Sequence, residues 1–250
     1  MIPSPSVWWL AAGLALGAIL GSFLATLVIR WPQGRSVLAG RSRCDACGRA
    51  LRPWDLVPIL SYAVLHGRCR GCGAAIDRRH LLVEIAAAGI ALSAFLAHGW
   101  PLGLISAFLG LGLLATILLD AEHHWLPDLL VLPLGAAGLA AALASFGPAI
   151  ELRLLGAAIG FLGLAAIGYA YRRLRGREGL GGGDPKLLGA LGAWIGAAML
   201  PYVLLGAGLV GLAALTMMRL RGQKIEATTR LPLGSFLALA TWPIWLIVAR

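Results

Sequence analysis

Three aspartates mark the ends of apolar segments in this 250-residue chain. Asp120 closes FLGLGLLATILLD, Asp128 opens the segment after Leu126-Pro127, and Asp184 follows three glycines in GLGGGDPKLLGALGAWIGAAML. Only 13% of the residues are charged, and an ionisable group in such a setting is costly enough to need a reason. Helix capping supplies one for two of them. Asp184-Pro185 has the form of an N-cap followed by proline at the first helical position. Asp128 suits the first turn of its helix, at the positive end of the dipole. Asp120 lies at the C-terminal end of its segment, where the dipole disfavours an anion, and that cost favours a chemical role. Two carboxylates close together in a partly dry site share a proton: one activates water while the other donates to a carbonyl oxygen. This is aspartic-protease chemistry.

Other plans fit less well. The sequence has no H-E-x-x-H, no G-x-S-x-G, and no cysteine outside positions 44–72. His123 and His124, beside Asp120 and Glu122, raise a metal-site alternative, but adjacent loop histidines diverge and no third ligand cluster accompanies them. Gly181-Gly182-Gly183 lacks a Walker pattern and a preceding strand, so it is not a phosphate cradle. It reads instead as a mobile entrance loop before Asp184, where another backbone comes close.

The four cysteines form two turns, Cys44-Asp-Ala-Cys47 and Cys69-Arg-Gly-Cys72, with twenty-one residues between them and a glycine after each. Two C-x-x-C turns supply a closed tetrahedral set for Zn²⁺, which leaves no open position and makes the site structural. The rival reading is a pair of disulfides, which a reducing cytosolic location disfavours. About fifty residues build little core alone, so a metal would fix the shape of this insertion. Its arginines could also meet anionic lipid headgroups.

The elements that must carry these residues are membrane helices. Mean hydropathy is +0.83 and 59% of residues are hydrophobic, and apolar runs of this kind read as bilayer spans. Eight candidates lie near 7–29, 81–97, 101–120, 128–146, 152–171, 185–200, 201–219 and 231–249. We therefore expect an all-α polytopic membrane protein of about eight transmembrane helices, with a small cytosolic zinc-binding loop domain between the first and second. Its parts would be a first helix at 1–29, the Cys₄ domain at 30–80, and a membrane core at 81–250, with no clear internal repeat. Net charge is +10, but nineteen of the twenty-one Lys and Arg lie in three stretches, 30–80, 172–186 and 219–230; Arg153 and Arg250 are the exceptions. Eight spans put those stretches on one side, the cytoplasmic one. The charge is thus a topology signal and implies no nucleic-acid partner. The first segment has no basic residue before it, which fits a retained anchor with its N-terminus outside.

Here the residues resemble a known family. Gly181-x-Gly183-Asp184-x-Lys186-Leu187 is similar to the GxGD motif of membrane aspartyl proteases, in the extended form found in type IV prepilin leader peptidases. Nearly the whole chain takes part. Gly21-Ser22-Phe23 lies in the first span, and Val57-Pro58-Ile59-Leu60-Ser61-Tyr62 lies between the Cys pairs. Gly67-Arg68-Cys69-Arg70-x-Cys72 and Arg79 to Glu84 follow. Asp120 with Leu126-Pro127-Asp128, and Leu231-Pro232-Leu233-Gly234-Ser235-Phe236, complete the order. The resemblance implies that Asp120 and Asp184 are the catalytic pair, with Asp128, Lys186, Gly181 and Gly183 supporting. It implies cleavage of prepilins or pseudopilins after a glycine at the cytoplasmic face of a bacterial inner membrane. It further implies N-methylation of the new terminus with S-adenosylmethionine, at a site no residue here identifies. Pro185 and Ser235 depart from the family pattern but remove no carboxylate. Two rivals follow from the same residues: a proton- or cation-coupled transporter using Asp120, Asp128 and Asp184, and a non-enzymatic pilus or secretion assembly factor in which the aspartates only cap helices.

Overall fold

Apolar runs surrounded by lipid can satisfy their backbone groups only by coiling on themselves, and every long run here does so. The computed structural model describes residues 7–37, 41–223, 225 and 230–249; Arg250 and part of the 219–230 basic stretch lie outside them. The helices are α1 (Val7–Arg30), α2 (Leu60–Val64), α3 (Arg78–His98), α4 (Leu102–His123), α5 (Asp128–Leu143), α6 (Ile150–Arg175), α7 (Gly183–Ile195), α8 (Leu200–Leu220) and α9 (Leu233–Val248). Apart from α2, which sits in the polar insertion, each falls on one of the eight expected segments. Five helices are long and apolar enough to cross a membrane, those beginning at Val7, Arg78, Leu102, Ile150 and Ala197; α5 and α9 are shorter apolar helices.

The chain forms two compact units, Met1–Leu111 and Gly112–Arg250, with the division inside α4. In the first, α1 packs along α3. Gly13, Gly17 and Gly21 line one stripe of α1, and Ala87, Ala88, Ala91 and Ala94 are buried on α3. A Cβ at Gly17 would lie 2.6 Å from the Ala87 carbonyl, so small residues let the two backbones touch.

In the second unit, α7 is the central element, packed by α5, α6 and α9. Every residue from Asp184 to Ile195 except Lys186 is buried. The expected 185–200 segment is therefore shorter than a span: α7 has 13 residues and stops at Gly196, whose φ is +76°. A helix of that length covers about 20 Å. It can be short because protein, not lipid, surrounds it. Gly156 and Gly192 bring α6 and α7 into backbone contact.

The polar insertion corrects one expectation. Arg43–Ala50 and Arg68–Ala75 fold alike, each closed by an antiparallel bridge between its end residues. Cys44 N–H donates to the Arg49 carbonyl and Gly48 N–H to that of Cys44; Cys69 and Gly73 repeat this at Ala74 and Cys69. The insertion thus holds a local repeat that the surrounding helices hide from a whole-chain reading.

Candidate active site and metal centre

Asp120 and Asp184 come together although 64 positions separate them in the chain. Their side chains lie within electrostatic reach of each other, and the residues are only 5% and 7% exposed. What holds them is the start of α9. The first N–H groups of a helix have no partner within it, and they form its positive end. The Ser235 N–H donates to Asp120 Oδ2 at 2.7 Å, the Ser235 hydroxyl reaches the same oxygen at 3.1 Å, and the Gly234 N–H faces the Asp184 carboxylate. Asp120 pays at the C-terminal end of α4, as expected, and α9 offsets that cost.

The capping expectation for Asp184 needs correction. The N-cap of α7 is Gly182, and Asp184 is the second helical residue. Its carboxylate folds back to accept the Gly181 N–H at 3.0 Å, while its own N–H donates to the Gly181 carbonyl. The helix begins at Gly183, which packs against Leu126; a Cβ there would lie 2.7 Å from the Leu126 Cβ. The same Leu126 side chain lies 2.9 Å from a Cβ built at Gly234, so one leucine fits between the starts of α7 and α9. A Cβ at Gly181 would sit 3.0 Å from Asp184 Oδ2. None of the three glycines has a positive φ. Gly181 and Gly183 are there for close approach, and Gly182 faces open space.

Asp128 occupies the first turn of α5, as expected, and it also makes a tie. Both its oxygens accept from Lys186 Nζ, at 2.7 and 2.8 Å, joining α5 to α7. His123 lies 3.7 Å from Glu122 and joins no metal-ready cluster. Among the described residues the four cysteines form the one such cluster.

Their sulfurs lie within 4.8 Å of one another, with Cys44 and Cys72 at 3.9 Å and no disulfide. Tetrahedral zinc with sulfur at about 2.3 Å has S···S edges of about 3.8 Å, so the set fits such an ion. The Cys72 and Gly71 N–H groups hold the Cys69 thiol down to about 6 while Cys72 is carried up to about 11, so the clustered thiols titrate together. Gly48 and Gly73 have φ near +70°, the left-handed turn each knuckle requires after its second cysteine.

Sequence reasoning placed Gly234 and Ser235 only in a motif and gave them no role. The available signal was small residues after Pro232 at a helix start, the pattern of an open N-terminus.

The chain is similar to known proteins along most of its length. Residues 15–98 match the Bacterial Peptidase A24 N-terminal domain, and residues 107–216 match the Type IV leader peptidase family. A Pseudomonas aeruginosa protein named "Prepilin leader peptidase/N-methyltransferase" is 38% identical, covering 92% of this chain and 87% of its own. Proteins of the same name from Dichelobacter nodosus (39%, covering 87% and 75%) and Dickeya chrysanthemi (38%, covering 94% and 91%) are similarly close. No solved structure matches the chain. With a buried aspartate pair, a four-cysteine cluster and these matches along its length, the chain belongs to the type IV leader peptidase family.

Proposed function

We propose that this protein is a membrane aspartic endopeptidase and N-methyltransferase of the bacterial inner membrane. It removes the leader of type IV prepilins or pseudopilins after a glycine at the cytoplasmic face and methylates the new N-terminus. The observation that carries the peptidase reading is the pair Asp120 and Asp184, both buried and both met by N–H groups at the start of α9. Neither the family nor the relatives' name supports a transporter.

In this reading one carboxylate takes a proton from water as the oxygen attacks the scissile carbonyl, and the other protonates the carbonyl oxygen. The amide nitrogen then leaves protonated. Among the described residues the partners on Asp120 are all on Oδ2, which leaves Oδ1 for water or substrate. Gly181 and Gly183 let Asp184 and Leu126 close on the loop backbone, Gly182 faces open space where an extended peptide can pass, and the Lys186–Asp128 tie fixes α7 against α5. Cys44, Cys47, Cys69 and Cys72 hold structural zinc. S-adenosylmethionine, when bound, supplies the methyl group.

The test is cleavage of a purified prepilin, read by product mass, with wild type, Asp120→Asn and Asp184→Asn, each with and without S-adenosylmethionine. Loss of cleavage in both folded variants, with a methyl-sized mass gain in wild type, is the expected result. Cleavage by both variants would return the aspartates to a capping role. Metal analysis of the purified protein should find one zinc per chain.

A further inference from the structure

Residues 53–65 of the polar insertion turn their apolar side outward. In α2, Leu60, Ala63 and Val64 share one face at i, i+3 and i+4, and all three are exposed, Leu60 by 64% and Val64 by 69%. Ser61, Tyr62 and Leu65, on the other face, are half-buried. Just before α2, Trp54, Leu56 and Val57 are exposed as well, Trp54 by 54%. A helix on a water-bathed surface shows the opposite order, with its polar residues outward. A clustered apolar surface of this kind is built for contact.

The backbone fixes where that surface lies. The Ile59 N–H donates to Glu84 Oε2 at 2.8 Å, and Glu84 is buried on α3. Ile59 is β-branched yet holds φ +63°, a strained conformation at the point where the segment is pinned. The Tyr62 ring turns back on Gly67, where a Cβ would meet it at 2.8 Å. Ser61, Tyr62 and Leu65 line one cleft with Ser22 and Thr26, near the end of α1. The segment is therefore seated beside the last turns of α1 and the first turns of α3, and both helices are long and apolar enough to cross a membrane. α3 covers about 32 Å, so little of it can project beyond a hydrocarbon core of about 30 Å. Glu84 lies about 9 Å along that helix from Arg78, its first residue. Amphipathic helices lying in the plane of a bilayer sit about 5–10 Å into its boundary. The two depths agree.

Charge matches the same setting. The Arg52 guanidinium stands 5.3 Å from the Trp54 ring centre. An indole at the acyl boundary with an arginine reaching phosphate is a pairing that a membrane interface favours. Arg30 ends α1, and Arg78 and Arg79 begin α3, so basic residues bracket the insertion where headgroups would lie. We propose that residues 53–65 form an in-plane membrane-docking surface, with Leu56, Val57, Leu60 and Val64 in the acyl region and Trp54 and Arg52 at the headgroups. The surface holds the four-cysteine module against the bilayer at the ends of α1 and α3. It is independent of the cleavage and methylation readings.

The experiment places photoreactive p-benzoylphenylalanine at Leu60, and separately at Val64, in the full chain reconstituted in phosphatidylethanolamine and phosphatidylglycerol vesicles. Irradiation should add the mass of a phospholipid at both positions. The yield should match that of the same label at Leu162, exposed on α6, and exceed several-fold that at Glu178, in the exposed loop after α6. An unchanged denaturation midpoint shows that a labelled variant is folded. Lipid labelling no higher than at Glu178 overturns the surface, and so does labelling of a second chain or of added prepilin in place of lipid. Trp54 gives a check that needs no label and decides the matter if a labelled variant fails to fold. Brominated acyl chains should quench the emission that wild type has and Trp54→Phe lacks; an unquenched difference overturns the proposal.

Discussion

The helical bundle of the second unit buries charge near both ends of α7 and treats the two ends in opposite ways. At the start, Asp120 and Asp184 accept from N–H groups of α9 and of Gly181, and Asp120 Oδ1 has no partner among the described residues. Near the end, Arg153 of α6 is fully buried and almost every donor is spent. Its Nε donates to the Pro148 carbonyl at 2.8 Å, and its terminal nitrogens reach the carbonyls of Gly138, Ala193 and Phe146. The guanidinium also lies 5.8 Å from the Trp245 ring centre, and Trp245 meets Trp194 edge-on. No carboxylate pairs with it among the described residues. A buried charge whose hydrogen bonds are filled by carbonyls ties loops and helices together. One left with an accessible atom is available for chemistry.

The largest effects should come from the open end. Asp120→Asn or Asp184→Asn should reduce prepilin cleavage by about a thousandfold or more, since acid–base groups commonly contribute about 10²–10⁴. The denaturation midpoint should not fall, because an amide keeps an acceptor for α9 or Gly181. Near-normal cleavage in either variant would break the comparison. At the closed end the loss should be in stability. Arg153→Met strands several buried carbonyls, each costing about 1–3 kcal/mol, so unfolding in detergent should come at markedly lower denaturant. The turnover of protein that remains folded should be unchanged. A rate loss larger than the loss of fold would give Arg153 a part in chemistry.

A smaller step separates geometry from charge at Asp120. Ser235→Ala removes the hydroxyl donor but keeps the 2.7 Å backbone N–H. That hydroxyl also faces the Ile117 carbonyl at 3.0 Å and has one proton for both, so the loss should sit at the low end of the about 1.5–3 kcal/mol of a hydrogen bond to a charged group, and turnover should drop about tenfold. KM should barely change if Ser235 acts only through Asp120. A change confined to KM would place Ser235 on the substrate instead.

These distinctions track what a sequence can carry. The eight helical segments were legible because lipid permits only one solution for a long apolar run. The cysteine set was legible because each C-x-x-C-G turn is local. Asp120 could be singled out from its unfavourable end of α4. Its compensation could not, since Ser235 lies 115 positions away and no local pattern joins them. The length of α7 was misjudged because Gly196 ends it inside an unbroken apolar run. Arg153 could be seen only as an exception to the charge pattern; the carbonyls that explain it come from a loop and two other helices. Glu84 was quoted in a motif, but its pairing with Ile59 crosses 25 residues.

The weakest expected effect lies between the two ends, at Lys186–Asp128. Both hydrogen bonds are short, yet the side chains are 38% and 53% exposed. Solvent screens such pairs, and they contribute about 0–1 kcal/mol. Lys186→Met should therefore leave the denaturation midpoint almost unmoved. Its consequence, if the tie positions α7, is a small loss of turnover, under about tenfold, that Asp128→Asn reproduces and the double variant does not deepen. Additive losses in the double variant would mean that each residue meets the substrate separately. That result would move Lys186 from a brace on the helix that carries Asp184 to a contact in the cleavage site itself.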